Sequence, residues 1–306
     1  MRTLYKITLT LVSLGLVSLA LGIIAVITAI SYYTQDLPDY RKLKDYRPPV
    51  VTRIHAGDGR LLAEYAQERR IFIPEHEIPR RVKNAFVSAE DKHFYRHPGV
   101  DFLAILRAAY TNLQNIGTDQ RPEGASTITQ QVAKNFLLSD KVTITRKIRE
   151  AVLAFRMERA MTKDRLLELY LNEIYLGSGS YGVAAAALNY FDKSLDKLSI
   201  AQTAYLAALP KAPNNYKPVE DHEAALARRN WVIGRMAEDD HITQSQAEIA
   251  KKKPLKAVER EQNVVRAPYF AASVRKQLKN RFGEDGIRKG GLAVHTSLKP
   301  DYQTIA

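Results

Sequence analysis

The sequence predicts a mainly α-helical protein. The predicted protein has a single N-terminal transmembrane helix, a small β element before the helical domain and a short α/β segment after that domain. Three observations support this fold class. An apolar run without charges fills residues 7–30. Apolar residues then recur at helical spacing, with helix caps, from residue 80 to about residue 253. Residues 50–65 and 291–299 instead alternate as strands do.

The apolar run predicts a retained membrane anchor, which we place at residues 1–35 with its short N-terminal tip. As a helix, residues 7–30 would extend about 36 Å, enough to cross a hydrocarbon core of roughly 30 Å. A cleaved signal peptide is the alternative, but its apolar region usually has only about 7–15 residues. Arg2 and Lys6 precede the run, so we expect the N-terminus to lie in the cytoplasm.

Composition narrows the classes of partner. The chain has no cysteine, which excludes disulfides and thiolate chemistry. Its formal net charge is +13, from 46 basic and 33 acidic residues, and this favours an anionic partner. Because an anchor would hold the domain beside a bilayer, we favour anionic lipid or a phosphorylated substrate. No nucleic-acid-binding motif is present, and we expect no nucleic-acid partner.

The elements after the anchor follow in order. Residues 36–79 are predicted to form a juxtamembrane linker with a β-hairpin around Gly57-Asp58-Gly59. Residues 80–253 are predicted to form the helical domain. The residues expected to cap or begin helices there are Asp101, Thr127, Thr145, Thr162 and Ser199. The sequence pattern changes after residue 253. A helix is predicted at 266–282, and we expect residues 254–306 to begin a further domain that is truncated here.

The stretch from Glu90 to Gly99 concentrates reactive side chains. It holds the adjacent acids Glu90 and Asp91, two histidines, two aromatic residues and a Pro-Gly stop. The first predicted helix of the domain, residues 81–93, ends within it. Taken alone, the stretch fits a functional site and a solvated helix end equally well.

Two further segments carry polar chemistry. Small and hydroxyl residues run from Gly124 to Gln131, ahead of Lys134-Asn135. They predict either a plainly capped helix or a helix N-terminus that binds a phosphate or diphosphate. Downstream, Arg146, Lys147 and Glu150 share a helix face. They form either an ordinary ion pair or a carboxylate held among cations beside a phosphorylated substrate. The segment 163–172 is predicted to be mainly architectural.

Together these segments resemble the family 51 glycosyltransferases, the peptidoglycan polymerases found as monofunctional enzymes and within class A penicillin-binding proteins. The motifs occur in the same order over roughly residues 50–250. The tail from Arg266 is similar to the segment that joins this domain to the transpeptidase of a class A protein. The matching positions are Glu90, Asp91, Phe94, His97 and Gly99, the run 124–131, Arg146, Lys147 and Glu150, the segment 163–172, Tyr181, Gly182 and Ala185, and the run 209–213.

The resemblance implies a lysozyme-like α-helical glycosyltransferase domain in the periplasm, anchored in the bacterial cytoplasmic (inner) membrane. Such an enzyme polymerises lipid II into β-1,4 glycan with inversion and releases undecaprenyl diphosphate. The implied partners are lipid II, the growing lipid-linked glycan, membrane lipid and other cell-wall synthesis proteins. The implied cofactor is a divalent cation, Mg²⁺ or Mn²⁺.

The resemblance also assigns roles to residues. Glu90 would be the general base that deprotonates the acceptor hydroxyl, and Glu150 a second carboxylate near the donor diphosphate, with a role in holding the metal. Lys134, Arg146 and Lys147 would neutralise charge on the leaving diphosphate. The residues expected to line the cleft are Ser126, Thr127, Gln130, Gln131 and Asn135. Asp91, Phe94 and His97 would support the base or contact the substrate.

Two other functions remain open on sequence alone. A lytic glycosidase also needs paired carboxylates, but has no use for cations converging on a diphosphate. A non-catalytic scaffold would not require both Glu90 and Glu150. Transpeptidase chemistry is not expected from this chain, because the Ser-x-x-Lys matches at Ser194 and Ser273 lack the partner motifs that this chemistry needs.

Overall fold

The computed structural model describes residues 2–44, 46, 52–65, 69–118, 124–138, 143–218, 220–256, 267–289 and 292–305. The chain is 65% helix and 5% strand, which confirms the mainly α prediction. The described helices are α1 (Arg2–Tyr33), α2 (Arg80–Glu90), α3 (Phe102–Gln114), α4 (Ile128–Leu137), α5 (Ile144–Ala160), α6 (Lys163–Glu173), α7 (Val183–Phe191), α8 (Ile200–Ala208), α9 (His222–Glu238), α10 (Gln244–Lys252), α11 (Pro268–Lys289, interrupted at Gly283) and α12 (Pro300–Ile305). The described strands are β1 (Thr52–His55), β2 (Leu61–Tyr65), β3 (Arg69–Arg70), β4 (Ser180–Tyr181) and β5 (Ala293–His295).

Helix α1 contains the predicted anchor. Its segment Leu9–Tyr33 has 25 residues, a mean hydropathy of 2.5 and no buried part, so α1 is a candidate membrane span by length and composition. The C-terminal end of α1 is fixed to the helical domain, because the Nε of Arg149 in α5 donates a hydrogen bond to the Tyr33 carbonyl at 2.9 Å. Such a bond satisfies one of the carbonyls that a helix end leaves unpaired.

The segment after α1 packs against the helical domain. Apolar and aromatic side chains recur here at every third residue, and Tyr40 and Leu43 are the first and last residues of a 3₁₀ turn. The recurring residues are Leu37, Tyr40, Leu43 and Tyr46. Their side chains pack against the main core, and Leu43 is only 4% exposed. Arg165 of α6 donates to the carbonyls of Leu43 and Tyr46 at 3.0 and 2.7 Å. This part of the predicted linker is therefore held at a fixed place on the domain.

The predicted hairpin is confirmed within the described residues, and it has an additional partner. Strands β1 and β2 pair antiparallel, and β5 joins β1 in parallel with Ile54 opposite Val294. A small core beneath this sheet contains Ile54, Leu62, Ala271 and Leu278. The hairpin and the chain after residue 266, which were predicted as separate pieces, thus form one packed unit.

The helical domain has one continuous core, in which α2 packs on α8 and α9 while α4 packs on α5 and α6. The predicted caps at Asp101, Thr127, Thr162 and Ser199 are confirmed by their side-chain hydrogen bonds. The predicted cap at Thr145 is wrong. Thr143 caps α5 instead, because its side-chain oxygen accepts the Arg146 N–H.

Helix α3 has the predicted periodicity but not a buried apolar face. Leu103, Leu106, Tyr110 and Leu113 are 63–70% exposed. Among the described residues, the buried residue of this helix is Ala108. The apolar spacing therefore predicted the helix correctly, while nothing in the described part of the chain covers that face.

Candidate active site

Glu90 is the last residue of α2 and is half-buried. The helix ends three residues earlier than the predicted His93, because Asp91 leaves the helical conformation at φ −158° and ψ 74°. Gln131 of α4 donates from Nε2 to Oε2 of Glu90 at 2.8 Å. Within the described residues this is the only side-chain hydrogen bond of Glu90, so its Oε1 is available to another donor.

The surroundings of Glu90 pull its pKa in opposite directions. Burial raises the pKa of Glu90, and the neighbouring Asp91 adds to that rise. The Gln131 hydrogen bond and the positive charges of Arg228 and Lys211 oppose it, and the net pKa is raised. A carboxylate with a raised pKa is a stronger base once ionised, and the cations help keep it ionised at neutral pH.

Asp91 organises the backbone around Glu90. Its carboxylate accepts a hydrogen bond from His97 Nε2 at 3.0 Å and from the N–H of Ile128, the first residue of α4, at 2.9 Å. The Gly99 N–H donates to Nδ1 of His97 at 3.1 Å, so the ring hydrogen sits on Nε2. Both Asp91 and His97 are more than nine-tenths buried. This network joins the end of α2 to the start of α4.

Gly99 is required by two constraints. Its φ is +108°, in a region that side chains rarely adopt. A Cβ at this position would also lie 2.7 Å from the carbonyl carbon of Ala154 in α5. The Pro98-Gly99 turn therefore lets the loop after Glu90 pass directly against α5.

Three of the residues expected at the cleft are part of its frame. Thr127 and Gln130 are nearly fully buried and form the capping box of α4, with Thr127 Oγ1 also donating to the Gly99 carbonyl at 2.6 Å. Phe94 has no exposed surface, and the ammonium of Lys163 lies 4.5 Å from its ring centroid. Of the two roles considered for Phe94, this placement favours support of the base.

A cationic cluster lies on α5. Lys147 Nζ is 2.8 Å from Oε2 of Glu150 and donates to Oγ of Ser126 at 2.6 Å. Arg146 Nε is 3.4 Å from Oε1 of Glu150, which is only 2% exposed. Neither of those two atoms has a hydrogen-bond partner among the described residues. A buried carboxylate thus holds two cations in place while each retains N–H donors for an anion.

Ser126 connects the two halves of the site. A pocket of about 110 Å³ lies between the end of α2, the first turns of α3 and the loop before α4. Glu90 and Ser126 both line it, and Ser126 in turn contacts Lys147. The base and the cationic cluster are therefore neighbours across one hydroxyl residue.

Helix α4 places three predicted cleft residues on one side. Lys134 and Asn135 lie three and four residues after Gln131, so they share its helix face. Lys134 is half-buried and Asn135 is exposed. Neither side chain has a hydrogen bond or ion pair with any described residue, and both are available to a ligand that enters beside Glu90.

The segment 163–172 is architectural, as predicted. The Glu168 carboxylate accepts the Glu75 N–H at 2.8 Å and pairs with Arg165. Asn172 bonds both the N–H and the carbonyl of Ile73 through its side-chain amide, at 2.8 and 2.9 Å. These bonds attach the chain before α2 to α6.

Sequence reasoning missed two cations near Glu90. Arg228 on α9 and Lys211, in the turn after α8, both act on the Glu90 carboxylate. Lys211 falls within a matched motif, although no role was given to it. Arg228 begins an Arg-Arg pair on α9, and no role was predicted for either arginine. Both Lys211 and Arg228 lie more than 100 residues after Glu90 in the sequence, so no local pattern indicated that they would act on it.

The residues around Glu150 do not complete a site for a divalent cation. Its neighbours are two cations, and no group of three or more His, Asp or Glu suited to a metal occurs in the described part of the chain. Mg²⁺ and Mn²⁺ prefer several oxygen ligands. One carboxylate would leave most of the coordination to the oxygens of a bound diphosphate.

Comparison with known proteins gives the family. The model of the transglycosylase family matches residues 58–237. The chain belongs to this transglycosylase family. The matched range contains Glu90, the α4 residues and the α5 cluster.

Similar proteins agree with this assignment. Penicillin-binding protein 1A of Rickettsia bellii is 50% identical over 287 residues, which cover 93% of this chain and 36% of that protein. Penicillin-binding protein 1A of Escherichia coli K12 is 42% identical over 276 residues, covering 90% and 32%. The crystal structure of penicillin-binding protein 1A from Haemophilus influenzae matches with a TM-score of 0.52 and 27% identity, over 85% of this chain and 28% of that one. The transglycosylase chain thus spans about a third of the length of these relatives.

Proposed function

We propose that this transglycosylase is a peptidoglycan glycosyltransferase that polymerises lipid II into β-1,4 glycan with inversion. One observation carries the proposal. Among the described residues, the half-buried carboxylate of Glu90 keeps one oxygen without a donor beside a pocket that Ser126 also lines, and Ser126 contacts Lys147, which flanks Glu150 together with Arg146. A base and an anion clamp connected through one hydroxyl residue suit a hydroxyl acceptor and a diphosphate leaving group.

In the proposed reaction, Glu90 takes the proton of the acceptor's 4-hydroxyl as that oxygen bonds to the anomeric carbon of the donor. The bond from the anomeric carbon to the diphosphate breaks, and the diphosphate leaves with its electron pair. Arg146 and Lys147 neutralise the developing negative charge, which lowers the barrier because they are already oriented by Glu150 and Ser126. Lys134 supplies a further cation from the face of α4 that carries Gln131.

The divalent cation stays a prediction, and no step above depends on it. When bound, it would add positive charge beside the diphosphate, with Glu150 as its only protein carboxylate from this cluster. We expect a chelator to reduce polymerisation, and Mg²⁺ or Mn²⁺ to restore it. Full activity after exhaustive chelation would remove the metal from the proposal.

The decisive assay offers the protein two substrates separately, lipid II in detergent or vesicles and purified sacculi. Growth of glycan from lipid II, with release of undecaprenyl diphosphate, supports the proposal. Release of soluble fragments from sacculi without growth would establish the lytic glycosidase. Binding of lipid II with no turnover under any condition would support the non-catalytic scaffold instead.

The proposed location is the bacterial cytoplasmic membrane, with the N-terminus inside and the helical domain in the periplasm. Support comes from the apolar α1 and from the basic residues that precede it. Other cell-wall synthesis proteins are the proposed partners beyond lipid. Protease treatment of intact spheroplasts tests the orientation, since only a periplasmic domain would be digested.

A further inference from the structure

Arg228 lies on α9, which packs on α2, and its charge acts on the Glu90 carboxylate at the end of α2, yet among the described residues no polar contact fixes it there. Its side chain is half-buried on α9, and its buried Nε has no hydrogen-bond partner in the part of the chain that the structure describes. Among the described residues, its guanidinium makes no side-chain hydrogen bond. Its electrostatic neighbours are Glu90 and Tyr216. Something other than a hydrogen bond must therefore keep this cation in position.

Trp231 supplies the contact that remains. The guanidinium carbon of Arg228 lies 3.8 Å from the centroid of the indole ring, a close cation–π stack. Trp231 follows Arg228 by three residues, so both side chains lie on one face of α9. Trp231 is 45% exposed, so the stack lies at the protein surface.

Resting on the proposed function, we propose that Trp231 is a positioning residue that holds Arg228 beside Glu90. The stack places a permanent positive charge near the carboxylate without occupying its oxygens. A direct Arg–carboxylate fork would use both oxygens and block the acceptor hydroxyl. The stacked arrangement favours the ionised base and leaves Oε1 open.

The other groups around Glu90 do not depend on Trp231. Asp91 follows it in the chain, Gln131 approaches from α4, and Tyr170 approaches from α6. Lys211 adds a second positive charge from the turn after α8. Within the described residues, Arg228 is thus the one neighbour of the base that stacks on the indole.

The test compares the pH dependence of kcat/KM for lipid II in Trp231→Leu and Trp231→Phe. Leucine keeps an apolar side chain but removes the aromatic face, so Arg228 can turn toward solvent. We expect the acid limb of the Trp231→Leu profile to move up by about half a pH unit, with less than about twofold loss on the alkaline plateau. Trp231→Phe keeps an aromatic face and should stay close to the wild-type profile.

Arg235 provides a matched control. It is the second cation near the indole, at 5.9 Å from the ring centroid, and is paired with Glu238 at 2.7 Å. It is not among the main charges that act on Glu90. Arg235→Ala should therefore leave the pH profile unchanged. An equal loss at every pH in Trp231→Leu, or no change at all, would overturn the positioning role.

A second measurement does not require turnover. Titration of the Glu90 carboxyl by NMR in ¹³C-labelled protein, with the signal assigned through Glu90→Gln, should show the same upward shift in Trp231→Leu. An unshifted Glu90 titration would reject the inference even if activity fell. If the wild-type protein failed to polymerise lipid II, the proposed function would fall while this titration still decided the role of Trp231.

Discussion

Replacement of Glu90 by glutamine separates the chemistry of the site from its stability. The introduced amide has nearly the shape of the carboxylate it replaces, and its carbonyl oxygen can accept the same hydrogen bond from Gln131 that Glu90 accepts now. It cannot take a proton from a hydroxyl at neutral pH. We therefore expect a folded protein that has lost its base.

The expected loss of activity follows from the role of a general base. Proton transfer by a positioned side chain is typically worth about 10²–10⁴ in rate. This range corresponds to about 2.7–5.4 kcal/mol in the activation barrier. Glu90→Asp is the matched variant, because it keeps the charge but withdraws the carboxylate by one methylene. It should retain part of the rate that Glu90→Gln loses.

Although Glu90→Gln should lose activity, we expect it to gain stability at neutral pH. Because burial raises the pKa of Glu90 in the folded protein, the fold favours the protonated acid. That contribution to stability is complete below the unfolded pKa and is lost as the pH rises through the folded pKa. Each unit of difference between the two pKa values is worth ~1.4 kcal/mol. Glutamine resembles the protonated form, so Glu90→Gln should match wild type at acid pH and unfold at a higher temperature at pH 7.

Two measurements test the role of Glu90 as a base and the effect of its burial on stability. The first is lipid II polymerisation at saturating substrate, with circular dichroism to confirm folding. The second is the thermal midpoint of both proteins across the acid to neutral range. A folded Glu90→Gln enzyme with wild-type turnover would refute the base assignment. A variant less stable than wild type at pH 7 would refute the account of burial.

Three further predictions concern the frame and the cations. Lys147→Met should reduce polymerisation about 10²-fold and lower the unfolding temperature, because it leaves the buried Glu150 carboxylate with one cation. Lys147→Arg should restore the unfolding temperature, and unchanged polymerisation kinetics in Lys147→Met would refute the role of Lys147 in binding the diphosphate. Gly99→Ala should destabilise the fold by at least about 2 kcal/mol, from its positive φ and its contact with Ala154, and a melting temperature equal to that of wild type would refute this. Arg149→Ala should broaden the distance distribution between spin labels on α1 and α5, which can be introduced as cysteines in this cysteine-free chain, whereas a distribution as narrow as in wild type would mean that other contacts fix the anchor.

The caps and spacings of the helices could be predicted from the sequence because they depend on local interactions. Thr127 and Gln130 form their capping box within four residues, and Ser199 with Gln202 does the same. The error at Thr145 is also local. Two threonines stand two residues apart, and only the conformation of the chain decides which one reaches a free N–H.

The exposed face of α3 and the sheet at the end of the chain were not predictable in this way. Apolar periodicity indicates that a helix has a distinct face, but not what covers that face. Likewise, the alternation at residues 291–299 indicated a strand, whereas its parallel partner β1 lies more than 230 residues earlier in the chain. Pairing at such a distance is set by the packing of the whole domain.

The sequence by itself determined the family resemblance, the candidate base and the cationic cluster on α5, because each of those groups lies within a few residues of its motif partners. Only the tertiary structure decided what surrounds the base. It brought Arg228 and Lys211 to Glu90 from more than 100 residues away and buried the carboxyl enough to raise its pKa. Electrostatic effects on a carboxylate depend on distance in space and on exposure to water, and neither can be read from positions along a chain.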